Sequence, residues 1–197
     1  MKVFDKKKLA KVIRVITVPP LLIIVLLILL YNFRADIFNS PWELLWLLLL
    51  LGVVPVLAYP LQLLLPGWKA KGREGQRKLA FIMSIAGYTA AMAVGYGMHV
   101  SNDLQLICNT YFISVVLLAI LNKLLHVRAS GHACSMTGPL VFLIYYIGWI
   151  YLPISLIVAA AVIWSSLYLK RHTVKDLILG ILVCLAAFAC SVGIYYI

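Results

Sequence analysis

Acidic residues are scarce in this chain. Its 197 residues include only six, Asp5, Asp36, Glu43, Glu74, Asp103 and Asp176, and a single one follows Asp103. Magnesium demands several oxygen ligands, so enzymes that hold it against a diphosphate need paired aspartates. No such pair is present, which excludes the membrane prenyltransferase and CDP-alcohol phosphotransferase chemistries. A two-carboxylate glycosidase is excluded on the same ground. The four cysteines, Cys108, Cys134, Cys184 and Cys190, form no CxxC pair and no Cys/His cluster of zinc spacing. They read as small packing residues, and no metal or other cofactor is expected. From Gln105 onward charge of either sign is rare, restricted to Lys123, Arg128, Lys170, Arg171, Lys175 and Asp176.

What the chain has instead is apolar length. Hydrophobic residues make up 64%, where a soluble domain holds about 45–50%. This predicts an all-α, polytopic membrane helix bundle with six to seven transmembrane helices. The expected organisation is a basic amphipathic lead-in over 1–14 and one transmembrane domain over 15–197. The expected spans are 15–33, 42–65, 79–98, 104–125, 133–150, 153–169 and 176–197, with loops at 34–43 and 66–78. Pro19-Pro20 marks the start of the first span, while Pro55 and Pro60 make the second irregular. His99, in a brief loop, reads as an interfacial side chain. The net charge of +11 sits mostly in 1–14 and 69–78. In a bundle this points to the bilayer and anchoring against anionic lipid, not to nucleic acid, in a plasma or inner membrane.

The polar residues of the last third fall in two clusters, 123–132 and 170–176, separated by two apolar runs. A hairpin that crosses a bilayer twice returns to the face it left, so the clusters are free to meet. His172 and Asp176 stand at i and i+4 if a helix starts near Thr173. A carboxylate there fixes the imidazole tautomer and leaves the other nitrogen free as a nucleophile. The same residues also suit a snorkelling basic loop followed by an ordinary helix-start aspartate.

Ser165, His172 and Asp176 have the spacing S-(R)-x5-H-x3-D, and Ser130-Gly131-His132 resembles P-S-G-H with Ala129 for proline. In this the chain resembles the type 2 phosphatidic acid phosphatase superfamily of membrane lipid phosphatases, over roughly residues 123–180. The arginine usual after the first serine is Ser166 here, and the signature K-x6-R-P is absent as such. Arg128-Ala129-Ser130-Gly131-His132 and Lys170-Arg171-His172-Thr173 are similar to the compact, divergent branches of that superfamily.

The resemblance implies a metal-independent phosphatase acting on a lipid phosphate or polyprenyl (di)phosphate, with its core in 123–197. His172 would be the nucleophile forming a phosphohistidine, Asp176 its partner, and His132 the general acid and then base. Arg128, Arg171, Lys123 and the backbone at Ser130 and Gly131 would hold the phosphoryl oxygens. Other readings of the same residues are a phosphoryl or phospholipid transferase, an intramembrane serine protease built on Ser130 and His172, or a non-catalytic anionic-lipid transporter. Two spans between the basic segments 1–14 and 69–78 would place the site on the cytoplasmic face, whereas the superfamily's six-span members carry it outside.

Overall fold

Prolines and capping residues set where the helices begin. In the computed structural model, which describes residues 5–196, helix α1 (Lys6–Ile16) is capped by Asp5. Its carboxylate accepts from the Lys7 and Lys8 N–H groups at 3.0 and 3.3 Å. Residues 1–4 of the lead-in and Ile197 of the last span lie outside the described residues. Helix α2 (Pro19–Phe33) opens on Pro19-Pro20, positions that need no N–H, and the chain bends by 53° between α1 and α2.

Pro41 opens α3 (Pro41–Leu47), which a π-helical turn at Leu48–Val53 joins to α4 (Val54–Leu64). The proline ring at Pro55 would strike the carbonyl four residues back in an ordinary helix, and the wider π turn makes room for it. The prolines therefore distort this segment without interrupting it, and Pro41–Leu64 is continuous.

The expected loop at 66–78 is mostly helix. After a short α5 (Pro66–Lys69), α6 (Gly72–Met98) begins, with Arg73, Arg77 and Lys78 in its first turns. These are good helix formers, and Glu74 pairs with Lys78 at 2.8 Å one turn on. Ser101 then caps α7 (Asn102–Ala119), which continues through a second π turn, Ile120–Leu124. The remaining helices are α8 (Gly131–Ile147), α9 (Leu152–Tyr168) and α10 (Val174–Tyr196).

The described residues are helical throughout, with no strand. Five helices are long and apolar enough to cross a membrane, or six if the bent α1–α2 pair counts as one. This is the pattern of a multi-pass membrane protein. Helix α7 is central, packed by α6, α8 and α10. Around it lies a core that includes Leu26, Leu30, Leu47, Leu51, Ile107 and Phe142. Helices alternate in direction, so α1, the α4–α6 connection and both polar clusters share one end of the bundle. The other end gathers residues 34–40, His99–Val100 and Gly148–Tyr151, where Ser101 donates to the Ile37 carbonyl and Arg34 to the Tyr146 carbonyl.

Two polar clusters meet only because α10 approaches α8 closely. A Cβ at Gly180 would collide with the Ser130 carbonyl oxygen and lie 3.1 Å from the Ala133 Cβ. Both obstacles belong to the start of α8, one of them backbone, so neither can rotate away. Gly180→Leu should force the helices apart and lower stability by about 1–3 kcal/mol. Chemical unfolding in detergent measures this, and an unchanged midpoint would refute the tight approach.

Candidate functional site

The site is assembled at two helix starts and one helix end. Ser130 caps α8, accepting from the Ala133 N–H at 3.2 Å, and its own N–H donates to the Asp176 carbonyl at 2.8 Å. This bond links the two clusters directly. At the start of α10, Thr173 and Asp176 form a reciprocal capping box: the Thr173 N–H donates to Asp176 Oδ2 at 3.1 Å, and the Asp176 N–H to Thr173 Oγ1 at 3.2 Å. Asp176 thus fills the helix-start role, and its oxygen is shared further. Arg128 Nε lies 3.3 Å and His172 Nδ1 3.5 Å from the same Oδ2.

The link between the clusters is a tightly closed turn. At the end of α9 the Arg171 N–H bonds the Ser166 carbonyl and the Lys170 N–H the Leu167 carbonyl, both at 2.9 Å. That is a Schellman closure. Its left-handed position, φ 51°, is occupied by Lys170 where glycine is usual. A side chain there costs about 1 kcal/mol or more, and the turn presents Lys170, Arg171 and His172 in succession. His99 closes α6 in the same way, so it is a helix terminator. On the α7 side, Asn122 accepts from the Ala129 N–H at 3.0 Å and donates to the Leu118 carbonyl, fixing the loop that carries Arg128.

A cavity of about 250 Å³ opens between these segments, lined by Arg128, Leu167, Lys170, Arg171, His172 and Thr173. Arg128 Nη2 donates to the Arg171 carbonyl at 3.2 Å, bracing the rim. His172 lines the cavity, and its buried Nδ1 faces Asp176 at 3.5 Å without completing a hydrogen bond. His132 has a buried Nε2 with no partner among the described residues. His172 lines the cavity and His132 does not, although the two rings interact electrostatically. Buried nitrogens without a partner call for a ligand or a reaction partner.

Not every expected residue belongs to the cavity. Lys123 is exposed on the π turn, where its charge acts on Glu74, and it makes no hydrogen bond or ion pair with the cluster. Ser130 is fully buried, its hydroxyl oxygen accepting as the cap and its N–H donating to Asp176, and it does not line the cavity. It also makes no hydrogen bond to His172, as a serine dyad would need. The Gly131 N–H keeps its place in the open first turn of α8.

One residue absent from the sequence-based set enters instead. Arg14 of α1 reaches 152 positions along the chain and donates from Nη1 to Ser166 Oγ at 2.9 Å. Ser166 is the position where the resembling signature carries arginine. The available signal was helical register: Arg14 lies on the stripe of Ala10 and Thr17, both buried, while Lys6, Lys7, Lys8 and Lys11 are exposed.

The electrostatics follow from burial among cations. His132 is pushed down to about 3, chiefly by burial, then by the Arg14 charge and by His172. His172 is lowered to about 4 by burial first and Arg14 next; Asp176 opposes the shift, while Arg128 and Arg77 add to it. Both rings are neutral at neutral pH.

In comparisons with profiles of known families, with characterised proteins and with solved structures, no match to the chain was found.

Depressed histidines make stability depend on pH in a definite direction. Unfolded histidine titrates near pH 6.5, so between about pH 4 and 6.5 the native state binds fewer protons than the unfolded one. Stability is therefore full above about 6.5 and falls as the pH drops toward 4. Unfolding temperature in detergent should decline over that range, and His132→Gln with His172→Gln should flatten the decline. An equally steep decline in the double variant would contradict the assignment.

Proposed function

We propose that the protein is a divergent member of the type 2 phosphatidic acid phosphatase superfamily, a multi-pass phosphatase that hydrolyses a lipid or isoprenoid (di)phosphate. The observation that carries this reading is the pairing of His172 with Asp176 in a cavity walled by arginines, beside the unpartnered His132 nitrogen.

The chemistry uses groups already in position. Arg128, Lys170 and Arg171 hold phosphoryl oxygens at the cavity wall, and the start of α8 adds its positive end. His172 Nε2 attacks phosphorus as the P–O bond to the lipid breaks. The ring's developing positive charge is stabilised by Asp176 through Nδ1, whose loose apo contact tightens on charging. His132 gives a proton to the departing alkoxide. In the free protein it is neutral, so the proton must arrive with the substrate, whose phosphate charge raises the affinity of both imidazoles for protons. Water then attacks the phosphohistidine, His132 takes its proton, and inorganic phosphate leaves. A site at the end of the bundle keeps the ionic head in water and the tail in lipid.

The reading includes seven spans, with α2, Pro41–Leu64, α6, α7, α8, α9 and α10 each crossing once. It puts the site in the cytoplasm. Among the described residues Arg34 is the one lysine or arginine at the opposite end, and there it pairs with Asp36 at 2.8 Å. The positive-inside rule then assigns the site end to the cytoplasmic face.

Purified protein in EDTA should release phosphate from mixed lipid phosphates. His172→Ala should lose turnover and any acid-labile phosphoenzyme, while His132→Ala should still form some phosphoenzyme but release the lipid alcohol slowly. Full activity in His172→Ala would end the proposal. For sidedness, single cysteines at Asn102 and Thr173 in a cysteine-free background are probed in intact cells with an impermeant maleimide. Labelling at Asn102 alone is expected; labelling at Thr173 alone would invert the topology.

A further inference from the structure

Arg14 is the odd member of its helix. The inward stripe of α1 packs on α9, where Ala10 is fully buried, while Val12, Val15 and Ile16 are more than half exposed alongside the lysines. A helix built only to dock would place an apolar residue on that stripe. Here it places a half-buried guanidinium, whose one hydrogen bond goes to a neutral, fully buried hydroxyl. Among the described residues no carboxylate lies within ion-pair distance of it. The groups that act on it electrostatically are Arg171 and Arg77, of like sign, and the Tyr59 phenol, which opposes them. A partly desolvated cation without a counter-charge is costly unless an anion completes it.

Arg14 does not itself line the cavity, but Ser166, to which it donates, accepts through its carbonyl from the N–H of the cavity residue Arg171. Arg14 is the strongest charge acting on both His132 and His172. Arg128 is already neutralised by Asp176 at 3.3 Å. Arg14, Arg77 and Arg171 are thus the arginines near the histidines that form no ion pair with a carboxylate among the described residues. A guanidinium has five N–H donors, and one is spent on Ser166, so a planar fork remains for oxygens.

We propose that Arg14 is a phosphate-binding residue of this site, carried in by the N-terminal helix, so that the site is complete only when α1 is docked on α9. This rests on the phosphatase reading above and names a residue and an element that the reading does not require. Ser166 orients the guanidinium from below, and the exposed Lys6, Lys7, Lys8 and Lys11 leave the other side of α1 to an anionic membrane surface.

The test uses inorganic phosphate as the probe and the full chain in detergent with EDTA. Its dissociation constant is read from the ligand-dependent rise in unfolding temperature. Arg14→Gln keeps a donor for Ser166 and removes the charge, so docking and charge are separated. It should bind phosphate at least tenfold more weakly and lower kcat/KM by a similar factor or more. With one cation gone, the acid limb of the kcat/KM profile should move up toward the ordinary histidine range, under the remaining influence of Arg77, Arg128, Arg171 and Asp176. Lys11→Gln, on the same helix but exposed, should match the wild type.

Phosphate affinity in Arg14→Gln within twofold of wild type would overturn the inference. A second measurement needs no variant. Phosphate should slow amide hydrogen exchange in residues 9–17 of the wild type as well as in 170–176. Protection of 170–176 alone would also overturn it. If the wild type neither binds phosphate nor releases it from lipid, the phosphatase reading falls first. If it does both and Arg14→Gln is unaffected, only the role of Arg14 falls.

Discussion

The hydrogen bond from the Ser130 N–H to the Asp176 carbonyl, 2.8 Å long, ties the first turns of α8 and α10 together. Much else at this end of the bundle depends on it. It requires the bare Gly180 surface beneath Ser130. It fixes Asp176, whose side chain is at once the cap of α10, the partner of Arg128 and the neighbour of His172. Ser130 and Asp176 are both buried, so water competes little with this contact, and a pair of helix starts held by backbone makes a stiff frame.

On that frame the charge balance is deliberately uneven. One carboxylate faces Arg128, Arg171, Lys170 and, through the histidines, Arg14 and Arg77. Cations gathered at a half-buried site repel one another and keep nearby imidazoles neutral, which raises the cost of the empty state. On the proposed reading, an arriving phosphate would relieve that cost and recharge the histidines in the same step, so binding and proton supply would be linked electrostatically.

The same asymmetry operates at the scale of the whole chain. Among the described residues lysine and arginine collect at one end of the bundle, and the opposite end has a single arginine already paired with Asp36. The opposite end is held by neutral hydrogen bonds, among them Asn109 to the Tyr96 hydroxyl at 2.9 Å and Gln105 to Asn109 at 2.9 Å. Apart from the Arg34 contacts, cohesion at that end depends little on salt or pH. At the site end it depends on both.

Helical class and the meeting of the two clusters were legible in the sequence because each depends on local pattern. Apolar length determines a span, and two spans return the chain to one face. His172 and Asp176 were legible for the same reason, since i and i+4 is a local relation that needs only the Thr173 cap. The π turn before Pro55, the helical start of α6 in an expected loop and the non-glycine closures at His99 and Lys170 were hidden. The start of α6 has helical propensity that its charge run obscured, while the π turn and the two closures are settled by geometry beyond local propensity. Above all, the sequence could not connect Arg14 with Ser166 across 152 positions. In the chain Arg14 is one more cation in a basic stretch. Only the docking of α1 on α9 turns that one inward, because register along a helix chooses a face and tertiary structure decides what the face meets.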